Sequence, residues 1–204
     1  MSLHVSLEDI ILFSGKSGED EARKVYPRVR DWTEDSEART AVWHAGQVLR
    51  VARSFEQTRL RDFYAVALYQ ATLTLWVYGM VTSNTARKSG DKTPVPGQPL
   101  THYAHDMSSQ ASRVILDDDN DKAAKSFKLI GQGVAGLKST GSGMLDLARW
   151  SGSSNFCSLH NSKGVMLISG DILKSNFPES RNGLPPLVEN LVNLMNELGK
   201  LSGK

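Results

Sequence analysis

Cysteine is nearly absent from this 204-residue chain. Cys157 is the only one, which excludes an internal disulfide framework and any zinc module built on paired cysteines. The chain also contains no Asn-x-Ser/Thr acceptor site for N-glycosylation. Both absences favour an intracellular protein.

The chain also lacks an excess of charge of one sign. It has 24 Lys and Arg residues against 22 Asp and Glu residues, and the positive residues are scattered along it. A protein that binds nucleic acid on its own usually carries a dense basic patch. The charge composition therefore predicts no polyanionic partner.

Long apolar segments are scarce, with one exception. The short run at residues 10–13 follows Glu8 and Asp9, the reverse of the basic start of a signal peptide. Residues 63–80 carry no charge and have about the length of a membrane span, but they include Gln70 and lack a flanking lysine cluster. We interpret this segment as a buried helix of a soluble protein and predict no membrane partner.

Helical periodicity dominates the central part of the sequence. Thr33, followed by Glu34, predicts a helix N-cap, and the helix is expected to run to about Phe55. Its apolar residues recur along one broad stripe that would face a core. A second helix over residues 60–81 is apolar on nearly every face, which is typical of a central helix surrounded by others.

The rest of the chain alternates between helical and irregular patterns. Residues 82–102 are rich in Ser, Thr, Gly, Pro and Lys, which predicts a disordered loop. Apolar residues return at helical spacing in four later segments: residues 103–116, 121–130, 165–173 and 186–199. Gly199 is expected to cap the last of these helices. No alternating strand pattern is visible. We predict an all-α fold, an irregular helical bundle that forms a single domain over residues 1–204.

An acidic run at residues 117–121 is the strongest lead to enzymatic chemistry. Asp117, Asp118 and Asp121 match the Asp-Asp-x-x-Asp pattern with which the all-helical terpene synthases hold magnesium and a diphosphate. The chain has no second acidic metal motif, and the run precedes a helix that it would cap in solvent. We interpret it as a solvated helix cap and keep a magnesium-dependent, diphosphate-handling enzyme as the alternative function.

Three other motifs give weaker signals. Residues 131–136, GQGVAG, have the glycine spacing of a dinucleotide-binding loop, but we predict that they end a helix. His102 and His105 have no third zinc ligand nearby in the sequence. Cys157 has no basic sequence neighbours that would lower its pKa. We predict no catalytic, cofactor or metal site in this chain.

Trp43 projects from the side of its predicted helix opposite the apolar stripe, together with Arg39 and Arg50. Aromatic and arginine side chains are enriched at interaction hot spots, so these three residues form a candidate protein-contact face. The interpretation that we favour is that Trp43 packs beneath a second layer of helices, with an arginine over its ring.

Several blocks of this sequence resemble a known family. WHAGQVLR at residues 43–50, followed by LRDFYAVALYQATLTLWVYG at residues 60–79, is similar to the C-terminal part of the regulatory domain of fungal-specific transcription factors related to the xylanolytic activators. Residues 113–133 and 184–199 look like further blocks of that region in the same order. The similarity is greatest to members that carry Cys2His2 zinc fingers.

The resemblance implies a non-enzymatic, all-helical regulatory region of a nuclear transcription factor that acts on RNA polymerase II genes. In such factors an N-terminal zinc module reads DNA, while the helical domain regulates activity and contacts other proteins. We therefore expect a fragment, a partial regulatory domain, with zinc and DNA recognition confined to a missing N-terminal module. Its expected partners are proteins of the transcription machinery or the rest of the parent factor, and its oligomeric state is left open.

The purified chain is expected to bind duplex DNA only weakly and without sequence preference, at micromolar or poorer affinity at physiological salt. The reason is its near-neutral charge and its lack of paired zinc ligands. A gel-shift titration measures this affinity. Nanomolar, sequence-specific binding that survives a chelator would contradict the prediction.

Overall fold

The computed structural model describes residues 4–90, 112–118, 122–139, 155–178 and 183–201. This part of the chain contains seven helices and one three-stranded sheet. The protein is predominantly helical, which confirms the predicted fold class, while the small sheet was not predicted.

The elements follow one another in a simple order. The helices are α1 (Leu7–Phe13), α2 (Glu19–Glu34), α3 (Ser36–Arg53), α4 (Asp62–Gly90), α5 (Lys122–Ile130), α6 (Ser162–Ser175) and α7 (Pro186–Leu201). The strands are β1 (Arg113–Ile115), β2 (Val134–Lys138) and β3 (Phe156–Ser158). Strand β2 is central: it pairs in parallel with β1, with Val114 opposite Ala135, and antiparallel with β3, with Leu137 opposite Cys157.

Helix α4 is the central helix, as the sequence predicts. It packs against α1, α2, α3, α6 and α7, and its Leu68, Leu75 and Val77 are completely buried. By length and composition alone, Asp62–Thr85 would be able to cross a membrane. This is weak evidence for a span, because 61% of the apolar window is buried inside the protein and a core helix passes the same test.

The two ends of α4 differ from the prediction. The helix continues to Gly90 instead of ending near Val81, and residues 91–102 of the predicted loop lie outside the described residues. Thr82 lies within this longer helix, where its hydroxyl donates a hydrogen bond to the carbonyl of Tyr78 in the preceding turn. At the other end, the sequence predicts a helix surrounded by others, but the first turn is open to solvent: Phe63 is 76% exposed, with its ring beside that of Tyr64.

The boundary between α2 and α3 was also misplaced. Asp35, and not Thr33, is the N-cap of α3, and its carboxylate accepts a hydrogen bond from the backbone N–H of Glu37 at 3.2 Å. Thr33 lies inside α2, where its hydroxyl donates to the carbonyl of Arg30 at 2.7 Å. Helix α2, which the sequence analysis did not predict, contains Pro27. A proline inside a helix removes one backbone donor.

The three strands replace segments for which helix or loop was predicted. Residues 113–115 form β1, so the predicted helix over 103–116 is wrong at its end, and residues 103–111 lie outside the described residues. Strand β2 lies in the stretch that was interpreted as a break after α5. The predicted helices that correspond to α5, α6 and α7 are confirmed. Gly199, however, lies within α7 and does not cap it.

Two glycines allow the sheet layer to approach the helices closely. A Cβ atom at Gly46 of α3 would lie 2.5 Å from the Cβ of Leu116, which follows β1. A Cβ atom at Gly79 of α4 would collide with the backbone carbonyl of Leu159, which follows β3. Since real Cβ atoms do not approach so closely, the two helices hold the sheet at a distance that only glycine permits.

Replacing Trp76 by alanine is expected to lower the free energy of unfolding by roughly 3–5 kcal/mol. Trp76 is only 4% exposed and packs against Phe13, with 6.2 Å between the ring centroids. Chemical denaturation followed by circular dichroism measures the change. The Phe63→Ala variant is the control on the same helix and should cost less than about 1 kcal/mol. Equal losses in the two variants would contradict the central position of Trp76.

Candidate functional site

The first acid of the run at residues 117–121 is buried in an ion pair. The Asp117 carboxylate accepts hydrogen bonds from the Arg53 guanidinium at 2.8 Å and from the backbone N–H of Lys138 at 2.7 Å. Burial raises the pKa of the Asp117 carboxyl, against the opposing effects of the Lys138 N–H and of Arg53. The prediction of a solvated helix cap is therefore wrong for Asp117.

The remaining acids of the run do not form a metal site with Asp117 in the described residues. The Asp118 carboxylate lies 3.0 Å from the ammonium group of Lys138, and Asp121 lies outside the described residues. Over the described ranges, no group of three or more His, Cys, Asp or Glu residues could hold a metal ion. The geometry gives the diphosphate-handling alternative no support.

A hydrogen-bonded cluster around the ion pair joins α3 to the sheet. Arg53 donates a second bond, to the carbonyl of Lys138, at 3.0 Å. Gln47, two turns earlier, donates to the carbonyl of Asp118 at 3.0 Å and accepts from Arg50 at 2.8 Å. Sequence reasoning missed this cluster because its members come from distant parts of the chain: Arg53 and Lys138 are 85 positions apart.

Trp43 packs beneath α5, in agreement with the interpretation that we favoured. The ammonium group of Lys128 lies 3.9 Å from the centre of the Trp43 ring, so the cation over the ring is a lysine and not the expected arginine. Arg39 donates to the carbonyls of Lys128 at 3.2 Å and Leu129 at 3.4 Å, at the end of α5. Arg39, Trp43 and Arg50 thus all make contacts within the chain.

Burial shifts the pKa values of His44 and Cys157 in opposite directions. Burial lowers the pKa of His44, with smaller contributions from His4 and Lys128; its ring stacks on His4 at 5.9 Å. Burial and the nearby Asp117 raise the pKa of Cys157 to about 11. A nucleophilic cysteine needs a lowered pKa, because only the thiolate attacks. The interpretation of Cys157 as an ordinary thiol agrees with these surroundings.

The glycine-rich motif at residues 131–136 lies between α5 and β2. Gly131 follows the last residue of α5 with a positive φ of 70°. The chain therefore passes from helix to strand, the reverse of the order in a dinucleotide-binding loop. As predicted, Gly131 ends a helix, but residues 134–136 of the motif form the start of β2 and not a loop. His102 and His105 lie outside the described residues.

An apolar groove of about 390 Å³ lies between α3 and α4, and we call it the α3–α4 groove. Its apolar lining consists of Val48, Val51, Ala52, Phe55, Leu60, Tyr64 and Ala67. Val51 and Tyr64 are about half-exposed, and Phe63 extends the apolar surface beside them. Sequence reasoning missed the groove because Val48 and Phe55 belong to the same broad apolar stripe as the core residues of α3.

Comparison with models of known protein families, with curated proteins and with solved structures finds no match to this chain. The α3–α4 groove and the buried cluster around Asp117 are therefore interpreted from their own geometry.

Replacing Asp117 by alanine is expected to lower the free energy of unfolding by roughly 3–5 kcal/mol, because Arg53 then loses its buried counter-charge. Arg53 retains only 23% of its side-chain exposure, and the Asp117 side chain has none. Asp118→Ala is the matched control. Its ion pair with Lys138 is partly exposed, so the loss should be under about 1 kcal/mol. Urea denaturation of both variants measures the difference, and similar losses would show that the Asp117 pair has no special role.

Proposed function

We propose that this chain is the regulatory, protein-interaction part of a fungal nuclear transcription factor, and that it acts through protein contacts and not through catalysis. The sequence resemblance motivates the proposal, and a predominantly helical fold agrees with it. In this view, zinc binding and DNA recognition belong to another part of the parent factor.

The observation that carries the proposal is the apolar surface at the α3–α4 groove. Three aromatic rings form a continuous row across it: Phe55 and Tyr64 are 5.0 Å apart between centroids, and Tyr64 and Phe63 are 5.9 Å apart. Contiguous exposed apolar surface of this kind marks interaction sites on proteins. Removing one fully exposed phenylalanine side chain from water is worth about 1.5–3 kcal/mol before the costs of association are subtracted.

The groove has the shape expected for an amphipathic helix of a partner protein. Two packed helices leave a groove between them into which a third helix can lay its apolar face. The guanidinium of Arg50 donates a hydrogen bond to Gln47, which lines the groove, and so places a positive charge beside it. This charge favours a helix with acidic flanks, supplied by the transcription machinery or by another region of the parent factor.

The chemistry-bearing side chains support a non-catalytic role. The Asp117 carboxylate is engaged by Arg53 and by a backbone N–H, and the Cys157 thiol is buried with a raised pKa. Both side chains therefore contribute to packing between the helices and the sheet. Neither side chain lines the groove. His44 does line it, and burial lowers the pKa of this histidine.

A reporter experiment in a fungal host tests the proposal. The chain, fused to an unrelated DNA-binding module, is expected to change transcription of a reporter gene at least about threefold relative to the module alone. A Val51→Glu substitution should abolish this change, because it places a charge in the apolar groove. Reporter activity and protein abundance are measured together.

The matched control is Leu129→Glu, which introduces the same charge at an exposed leucine of α5, outside the groove. This variant should keep the full effect on the reporter. If the unaltered chain has no effect, the regulatory proposal fails. If Val51→Glu and Leu129→Glu reduce the effect equally, the groove is not the contact surface.

A further inference from the structure

The connection between α3 and α4, residues 54–61, lies at one end of the α3–α4 groove, and we call it the α3–α4 loop. It supplies two of the residues that line the groove. Phe55 begins the row of aromatic rings, and Leu60 is completely buried. The conformation of this loop therefore determines where the two helices present their apolar side chains at this end of the groove.

The α3–α4 loop has an unfavourable backbone conformation at Thr58. The φ angle of this residue is 65°, in the left-handed region. Threonine is branched at Cβ, and branched residues avoid that region. Such a conformation persists only where the surrounding structure holds it in place. The loop therefore depends on contacts from another part of the protein.

Asn176, the residue after the end of α6, supplies these contacts. Its side-chain N–H groups donate to the carbonyls of Phe55 at 3.3 Å and Glu56 at 2.9 Å, and its side-chain oxygen accepts from the N–H of Leu60 at 2.9 Å. Its backbone carbonyl accepts from the N–H of Thr58 at 2.8 Å. One residue thus binds the α3–α4 loop at both ends and in its middle.

An asparagine is well suited to this position. Asn176 is only 6% exposed, and a buried polar side chain costs free energy unless it is hydrogen-bonded. An amide both donates and accepts, so it can bind carbonyl and N–H groups of the loop together. Helix α6 itself ends on a backbone bond, from the N–H of Asn176 to the carbonyl of Lys174. The side chain is therefore directed to the loop and not to its own helix.

We propose that Asn176 is the positioning residue of the α3–α4 groove, and that it holds the α3–α4 loop so that Phe55 and Leu60 are placed for a partner's helix. The inference rests on the proposed function, in which the groove is the contact surface. It deepens that function because it makes the shape of the groove depend on a residue that does not line it. A change at the end of α6 would then alter the contact.

Replacing Asn176 by alanine in the full chain tests the proposal. The loss of its three side-chain hydrogen bonds should accelerate hydrogen exchange at the Leu60 amide at least about tenfold. It should also weaken the nuclear Overhauser contacts between the rings of Phe55 and Tyr64. In the reporter experiment this variant should lose most of the transcriptional effect. Circular dichroism shows whether the core remains folded.

Asn161→Ala is the matched control. Asn161 is the N-cap at the opposite end of α6, where its side chain accepts a hydrogen bond from the N–H of Gly164 at 3.0 Å. This variant should leave exchange at the Leu60 amide and the reporter effect unchanged. Equal acceleration at Leu60 in Asn161→Ala and Asn176→Ala would indicate a general loss of stability and would overturn the proposal. An unchanged Leu60 amide in Asn176→Ala would overturn it as well.

Thr58→Pro disturbs the same contact from the loop, and it keeps the proposal testable if Asn176→Ala does not fold. Thr58 is exposed, so its replacement leaves the core intact. Proline cannot adopt the positive φ and has no N–H for the carbonyl of Asn176. The contact between Phe55 and Tyr64 should weaken in this variant, and a full contact would contradict the positioning role.

Thr58→Asn provides a rescue. Asparagine adopts the left-handed conformation more readily than threonine, so the loop then needs less support from Asn176. Adding Thr58→Asn to Asn176→Ala should restore at least about half of the lost protection at the Leu60 amide. No restoration would refute the role of Asn176 in holding a strained loop. Exchange and ring contacts are measured without the reporter, so a failure of the proposed function and a failure of the positioning role are distinguished.

Discussion

The ion pair between Arg53 and Asp117 joins the helical layer to the sheet. Asp117 follows β1, and its carboxylate also binds the backbone of Lys138 at the end of β2. One side chain thus connects α3, the chain after β1 and the end of β2. Burying such charges is costly unless they are paired and hydrogen-bonded, and both oxygens of the Asp117 carboxylate are engaged. The contact therefore selects one arrangement of the layers.

The central position of α4 determines which surfaces remain for function. Because five helices pack against it, its apolar residues are buried in the core over most of its length. The first turn, with Phe63 and Tyr64, extends beyond this cover and contributes to the α3–α4 groove. Helix α7 is likewise buried on one face, while Leu187 and Leu194 are partly exposed. The α3–α4 groove is therefore formed by surfaces of α3 and α4 that the core does not cover.

Helices with a clear apolar period could be predicted from the sequence, whereas α2 and the three strands could not. Helices α3 and α4 are long enough for their apolar pattern to be unambiguous. Helix α2 went unpredicted, and it contains Pro27, which is unfavourable inside a helix. The strands contain three to five residues, so an alternating pattern has no room to develop. They form because pairing with one another satisfies their backbone groups, and that pairing is not local in the sequence.

The sequence by itself determined the helical class, the identity of the central helix and the absence of a disulfide framework, because these follow from local periodicity and from residue counts. Only the tertiary structure decided the role of each side chain. Asp117 looked solvated among acids but is buried, since Arg53 reaches it from 64 positions away. Leu187 and Leu191 look equivalent in the sequence, yet one is exposed and the other is buried. The side of a helix that meets a neighbour depends on where the neighbour lies, and no local pattern contains that position.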